Sequence, residues 1–192
     1  MPNHFDSIIC IFGDEEEVDK CCQDFEASKI IWDHEDQLCF CQFIDPLPSI
    51  VIYTDGERHL KEKRLLTDEE KKIVGEYLDY PSKYWDVECL CQEGHLVRHN
   101  KNMAIYSCWT PNVPIARRIF NIFHMKYPKL NISFEGVAEF CPETYVKFLI
   151  KADSPVMTIE EINQRHEEER RRKIEEILRM LNYPFFPLQQ ID

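Results

Sequence analysis

Glycine is scarce in this chain: 5 residues in 192. A phosphate-cradling loop needs several glycines at fixed spacing, and neither a P-loop nor a dinucleotide fingerprint is present. No Gly-x-Ser-x-Gly or Gly-x-Cys-x-Gly elbow exists to present a nucleophile. No apolar run approaches the roughly 18 residues of a membrane span. The opening Met1-Pro2-Asn3-His4 lacks the basic-then-apolar order of a secretory signal, so a soluble protein of the cytoplasm is expected. Cysteine, by contrast, is abundant: nine, an odd number, several as close neighbours. Without a secretory signal these read as reduced thiols, small hydrophobes first and reactive groups second.

Hydrophobic residues make up 44% of the chain and charged ones 30%, enough for one domain with a real core and perhaps an appendage. The net charge is −12, and residues 1–70 carry all of it: 18 carboxylates against 6 basic residues, where residues 71–192 are balanced. Phosphate binding needs Lys and Arg, so direct nucleic-acid binding is disfavoured. An acidic front attracts basic protein surfaces instead.

Ser7 to Phe12, closed by Gly13, reads as a strand buried on both faces. Asp14 is placed to cap a helix with Glu15, Glu16 and Glu17 in its first turn, beside the positive end of the helix dipole. Val18, Cys21, Cys22 and Phe25 form its apolar stripe, which assigns both thiols to the core. Gln37 to Ile44 reads as a strand stopped by Asp45-Pro46. Thr67-Asp68-Glu69-Glu70 is a capping box that opens a helix. Asp86–Gln92 and Lys101–Trp109 read as strands joined by a loop around Gly94. Thr110-Pro111 reads as the start of a helix that ends at Tyr127-Pro128. Leu130–Val137 and Glu143–Lys151 read as a hairpin, and Thr158–Leu181 as a long helix followed by an apolar tail.

This order predicts an α+β fold: a ferredoxin-like split βαβ sheet spanning 1–152, with an insertion at about 28–82, and a C-terminal helix and tail in 153–192. With both faces of the first strand apolar, the sheet is expected to be covered on both sides, unlike an open RNA-binding sheet.

Several motifs, in order, resemble a known family. They are Met1-Pro2-Asn3 with Gly13, Phe43-Ile44-Asp45-Pro46-Leu47-Pro48, Leu66-Thr67-Asp68-Glu69-Glu70, Lys83-x-Trp85, Cys108-Trp109-Thr110-Pro111 with Pro114, and Lys126-Tyr127-Pro128-x-Leu130. Over residues 1–140 the chain resembles the YubB ferredoxin-like family of small phage, plasmid and prophage proteins. The resemblance implies a ferredoxin-like fold and a mobile-element setting, and it brings no catalytic residues with it.

Two sets of residues carry the functional expectations. The first is an acidic face, Asp14, Glu15, Glu16, Glu17, Asp33, Glu35 and Asp36, which would pair with Arg and Lys on a partner. In the setting that the resemblance implies, the partner is a host protein with a basic surface, and the chain is a non-enzymatic inhibitor of a nucleic-acid-handling defence complex, anti-CRISPR-like. No cofactor is required. The alternative is a zinc or redox module: Cys89-x-Cys91-x3-His95-x3-His99 offers two thiols and two imidazoles, with Cys39 and Cys41 as further candidates. A nucleic-acid-binding protein is the remaining alternative, and the C-terminal helix offers a route to a homodimer. A Cys108–His124 nucleophile pair would need thiol and base to meet.

Overall fold

The strand that begins the chain, β1 (His4–Phe12), runs through the middle of a five-stranded antiparallel sheet. The structure is a computed structural model in which residues 4–32, 35–46, 67–77, 92–111, 113–139 and 141–180 are described. The remaining elements follow in chain order as α1 (Glu15–Ala27), β2 (Ile30–Trp32), β3 (Glu35–Gln37), α2 (Phe40–Ile44), α3 (Asp68–Tyr77), β4 (Gln92–Asn100), β5 (Met103–Pro111), α4 (Arg117–Lys126), β6 (Asn131–Ala138), β7 (Cys141–Ile150) and α5 (Ile159–Met180). The sheet order is β4-β5-β1-β6-β7, and β2 and β3 form a separate two-stranded ribbon. The chain divides into two units, Met1–Val156 and Met157–Asp192. The α+β class and the C-terminal helix are as the sequence implies.

One face of the sheet holds the core. Phe5, Ile9 and Ile11 of β1, Ala104 and Tyr106 of β5, and Ile132 and Phe134 of β6 point into it. Val18, Cys21 and Phe25 of α1 and Ile119, Phe120 and Phe123 of α4 supply the opposing layer. Aromatic rings bind these layers together: Phe120 lies 5.1 Å from Phe134 and 5.5 Å from Phe40, and Phe25 lies 5.0 Å from Tyr106. Offset and tilted pairs at these separations each add roughly 0.5–1.5 kcal/mol beyond area burial. The Tyr106 hydroxyl donates to the Leu38 carbonyl at 2.8 Å, pinning the segment before α2 beneath the sheet.

Four local expectations differ from the structure. Leu38–Ile44 is helical at its end rather than extended: Phe43 N–H bonds Cys39 O at 2.9 Å and Asp45 N–H bonds Cys41 O at 2.8 Å. A run that is almost wholly apolar carries no period to separate strand from helix. Gly94 lies inside β4, not in a loop, and the turn sits at Lys101-Asn102. A side chain at 94 would meet the Leu38 carbonyl oxygen at 1.9 Å and the Tyr106 hydroxyl at 2.4 Å, so this glycine permits close approach of two backbones. Thr110 and Pro111 end β5, and α4 starts only at Arg117, with Ala116 in the cap position. Pro111 lies beyond Trp109, the last residue of β5 that β4 pairs, where its missing N–H does little harm. Finally, β1 is buried on alternate residues only; Ile8 on its other side is 49% exposed.

Two capping boxes start helices. In α3, Thr67 N–H donates to Glu70 Oε2 at 2.8 Å and Glu70 N–H donates to Thr67 Oγ1 at 3.2 Å, as the sequence pattern predicts. Thr158 and Glu161 repeat the arrangement at α5, at 2.8 and 3.3 Å. Both outer strands have irregular registers, β4 between Gln92 and His95 and again between Arg98 and Asn100, and β7 opposite Gly136 to Ala138.

Candidate interaction surface

α1 holds six carboxylates against one lysine. Its apolar stripe faces the sheet, which leaves Asp14, Glu15 and Glu16 exposed on the first turn and Glu17 half-buried. Asp14 occupies the cap position with extended backbone but makes no side-chain cap bond. The first turn is therefore favoured by charge alone, through three glutamates beside the positive end of the helix dipole.

Folding does not leave this cluster bare. Glu17 pairs with Lys129 at 2.5 Å, Glu15 with Lys101 at 3.5 Å and Asp19 with Arg98 at 2.8 Å. Glu17 holds the Lys129 ammonium above its ordinary range. The cations come from β4, from the β4–β5 turn and from the turn before β6. Charge that is segregated along the chain is thus partly mixed in space. Asp14 and Glu16 have no ion-pair partner within 4 Å among the described residues.

Glu35 and Asp36 lie on β3, opposite Trp32 and Ile31, and their side chains fall outside the described residues, as does Asp33 altogether.

Cys89 and Cys91 of the predicted zinc set also lie outside the described residues. His95 and His99 are exposed on one side of β4. Four residues of extended strand separate their backbones by roughly 13 Å at most. Cys39 precedes α2 and Cys41 lies within it, both buried in the core instead of aligned along a strand. Among the described residues no group of three or more His, Cys, Asp or Glu is arranged to hold a metal.

None of the described thiols Cys10, Cys21, Cys22, Cys39, Cys41 and Cys108 is in a disulfide. Burial pushes the Cys21 thiol far up from its ordinary range, with Cys22 and Asp24 adding to the effect. Cys22 is raised as well, chiefly by burial, against the opposing pull of the Arg98 guanidinium beside it. These are the environments of inert core thiols. His124 is buried on α4 with Nε2 3.0 Å from the Ser154 carbonyl oxygen, so that nitrogen is committed to the backbone rather than to Cys108.

The feature that sequence reading missed is the side of the sheet opposite α1 and α4. Four of its apolar side chains are exposed: Ile8 by 49%, Val97 by 59%, Tyr145 by 53% and Leu149 by 46%. His4 stacks on Trp109 at its margin, centroids 4.1 Å apart. The signal was the alternation of burial that a continuous apolar strand cannot display, since both of its faces are equally apolar.

No protein-family profile, curated protein or solved structure matches the chain.

Proposed function

We propose that this chain is a non-enzymatic interaction protein of a phage, plasmid or prophage. In this reading it works in the cytoplasm of a bacterial host by occupying the basic surface of a nucleic-acid-handling defence complex, as an anti-CRISPR protein does. The observation that carries the reading is the outer side of α1, a helix with six carboxylates against one lysine, where Glu16, and Asp14 at its cap, face solvent. Such a helix presents anionic groups at spacings that an Arg- and Lys-lined groove can engage, and it steers the approach of that groove through its field.

The sheet order supports the finer fold assignment. Read as β6-β1-β5-β4 with every neighbour antiparallel, the order favours a ferredoxin-like split βαβ plan to which β7 is added beside β6. That plan agrees with the resemblance to the YubB family.

The structure dictates which substitutions test the idea. Reversing Glu15 or Glu17 also breaks the pairs with Lys101 and Lys129. The combination of Asp14→Lys and Glu16→Lys alters the field without removing a described ion pair. A protein captured from a bacterial lysate by the tagged chain should bind with steep salt dependence. Its affinity should fall at least about tenfold for the double variant, while the melting temperature stays within a few degrees. Unchanged affinity removes the acidic mechanism. Retention of DNA or RNA in place of a protein favours the nucleic-acid alternative.

A further inference from the structure

The side of the sheet opposite α1 takes no part in the acidic reading. Its middle row crosses all five strands: Val97, Ile105, Cys10, Ser133 and Leu149 are neighbours in register. The next row places Ile8 at the centre, with Glu135 and Lys147 on its β6 and β7 side. We propose that this face is the interface between two copies of the chain, sheet packed on sheet.

Two observations select a second copy over other occupants. The first is area. Five strands about 4.8 Å apart, each near nine residues long at about 3.3 Å per residue, cover roughly 700 Å². A standard interface buries about 800 Å² per partner, so the face is close to the size a stable dimer needs.

The second is charge. Within the strands, Lys147 is the face's single lysine, and it is held by Glu135, whose carboxyl the Lys147 and Tyr145 hydrogen bonds keep below its ordinary range. Of the other basic side chains in the strands, Arg98 points to Asp19 on the other layer, and His95 stands two residues from Val97 on the β4 margin of this face. A basic partner would find its carboxylates on α1 instead. A second copy meets an aliphatic centre with an aliphatic centre, and the ion pair needs no partner from across the interface.

Two such faces would pack about 10 Å apart, the ordinary spacing of stacked sheets.

The test uses sedimentation velocity on the full chain over a micromolar concentration series. The expected species has twice the chain mass. Val97→Glu combined with Leu149→Glu places charge at both ends of the middle row. Both positions are exposed in the single chain, so the circular dichroism spectrum should be retained while self-association weakens at least about 100-fold. Ile174→Glu combined with Ile177→Glu, on α5, should leave the dimer intact. A wild-type chain that sediments as a monomer at every concentration overturns the proposal, and this includes the case in which a segment of the same chain covers the face. A dimer abolished by the α5 variant but unaffected by the sheet variant also overturns it, assigning association to the helix. Loss of the basic-partner interaction in the Asp14/Glu16 variant leaves the dimer untouched, so the two readings fail separately.

Discussion

Gly94 and Tyr106 show how one residue position can set the path of a whole segment. The Tyr106 hydroxyl reaches the Leu38 carbonyl in the core, and the same carbonyl closes over Gly94. Tyr106→Phe leaves a buried carbonyl without its donor, which should cost about 1–3 kcal/mol in a denaturant titration. Gly94→Ala drives a methyl group into backbone, and should destabilise by at least as much. At alkaline pH two other residues decide the outcome. Burial, assisted by the bond to Asp24, raises the Tyr127 phenol above its ordinary value of 10.0, and burial raises Cys21 above 9.0. The unfolded chain therefore releases these protons first. The stability they contribute is complete below pH 9 and drains away as pH climbs through 10. Lys126, lowered from 10.5 by burial, acts in the opposite sense just below that value. The melting temperature should fall between pH 9 and about 11, and Tyr127→Phe should fall less steeply above pH 10. A profile identical to wild type would show that the phenol is not held protonated.

Among the elements, helices with explicit start signals were the most legible. Thr67 and Glu70 announce α3, and the Val18, Cys21 and Phe25 stripe gives the inner face of α1. The hairpin of β6 and β7 was also readable from two apolar runs at the right separation. Where legibility failed, the cause was local ambiguity resolved by distant contact. Leu38–Ile44 has no period, and it becomes a helix because Phe40, Cys41 and Ile44 all find cover in the core. Thr110-Pro111 has the composition of a helix start, yet pairing with Phe5 and His4 extends the strand through both residues. The ribbon of β2 and β3 offered only three residues a side. At α5, Thr158→Ala should remove one half of the capping box. It should cost about 1 kcal/mol of helix stability, seen as faster amide hydrogen exchange over residues 159–162 with no change in α3.

At the scale of the molecule, the acidic first third was legible as composition, but its surroundings were not. Arg98, Lys101 and Lys129 reach α1 from residues 79 to 112 positions away in the chain, and only folding reveals that meeting. Of the Cys/His spacing, His95 and His99 lie on one extended strand, and Cys89 and Cys91 fall outside the described residues. The sidedness of the sheet was hidden for a related reason, because an unbroken apolar run looks alike from above and below.

The uneven pairing of β4 and β7 bears on how the protein behaves when crowded. A flat, regular margin is a template on which further strands can add without limit, whereas shifted hydrogen-bond rungs deny an incoming strand a continuous ladder. Among the described strands both outer ones carry such shifts, which disfavours lateral growth into ribbons, and a solution of this protein should stay clear and free of thioflavin-staining fibres even when concentrated.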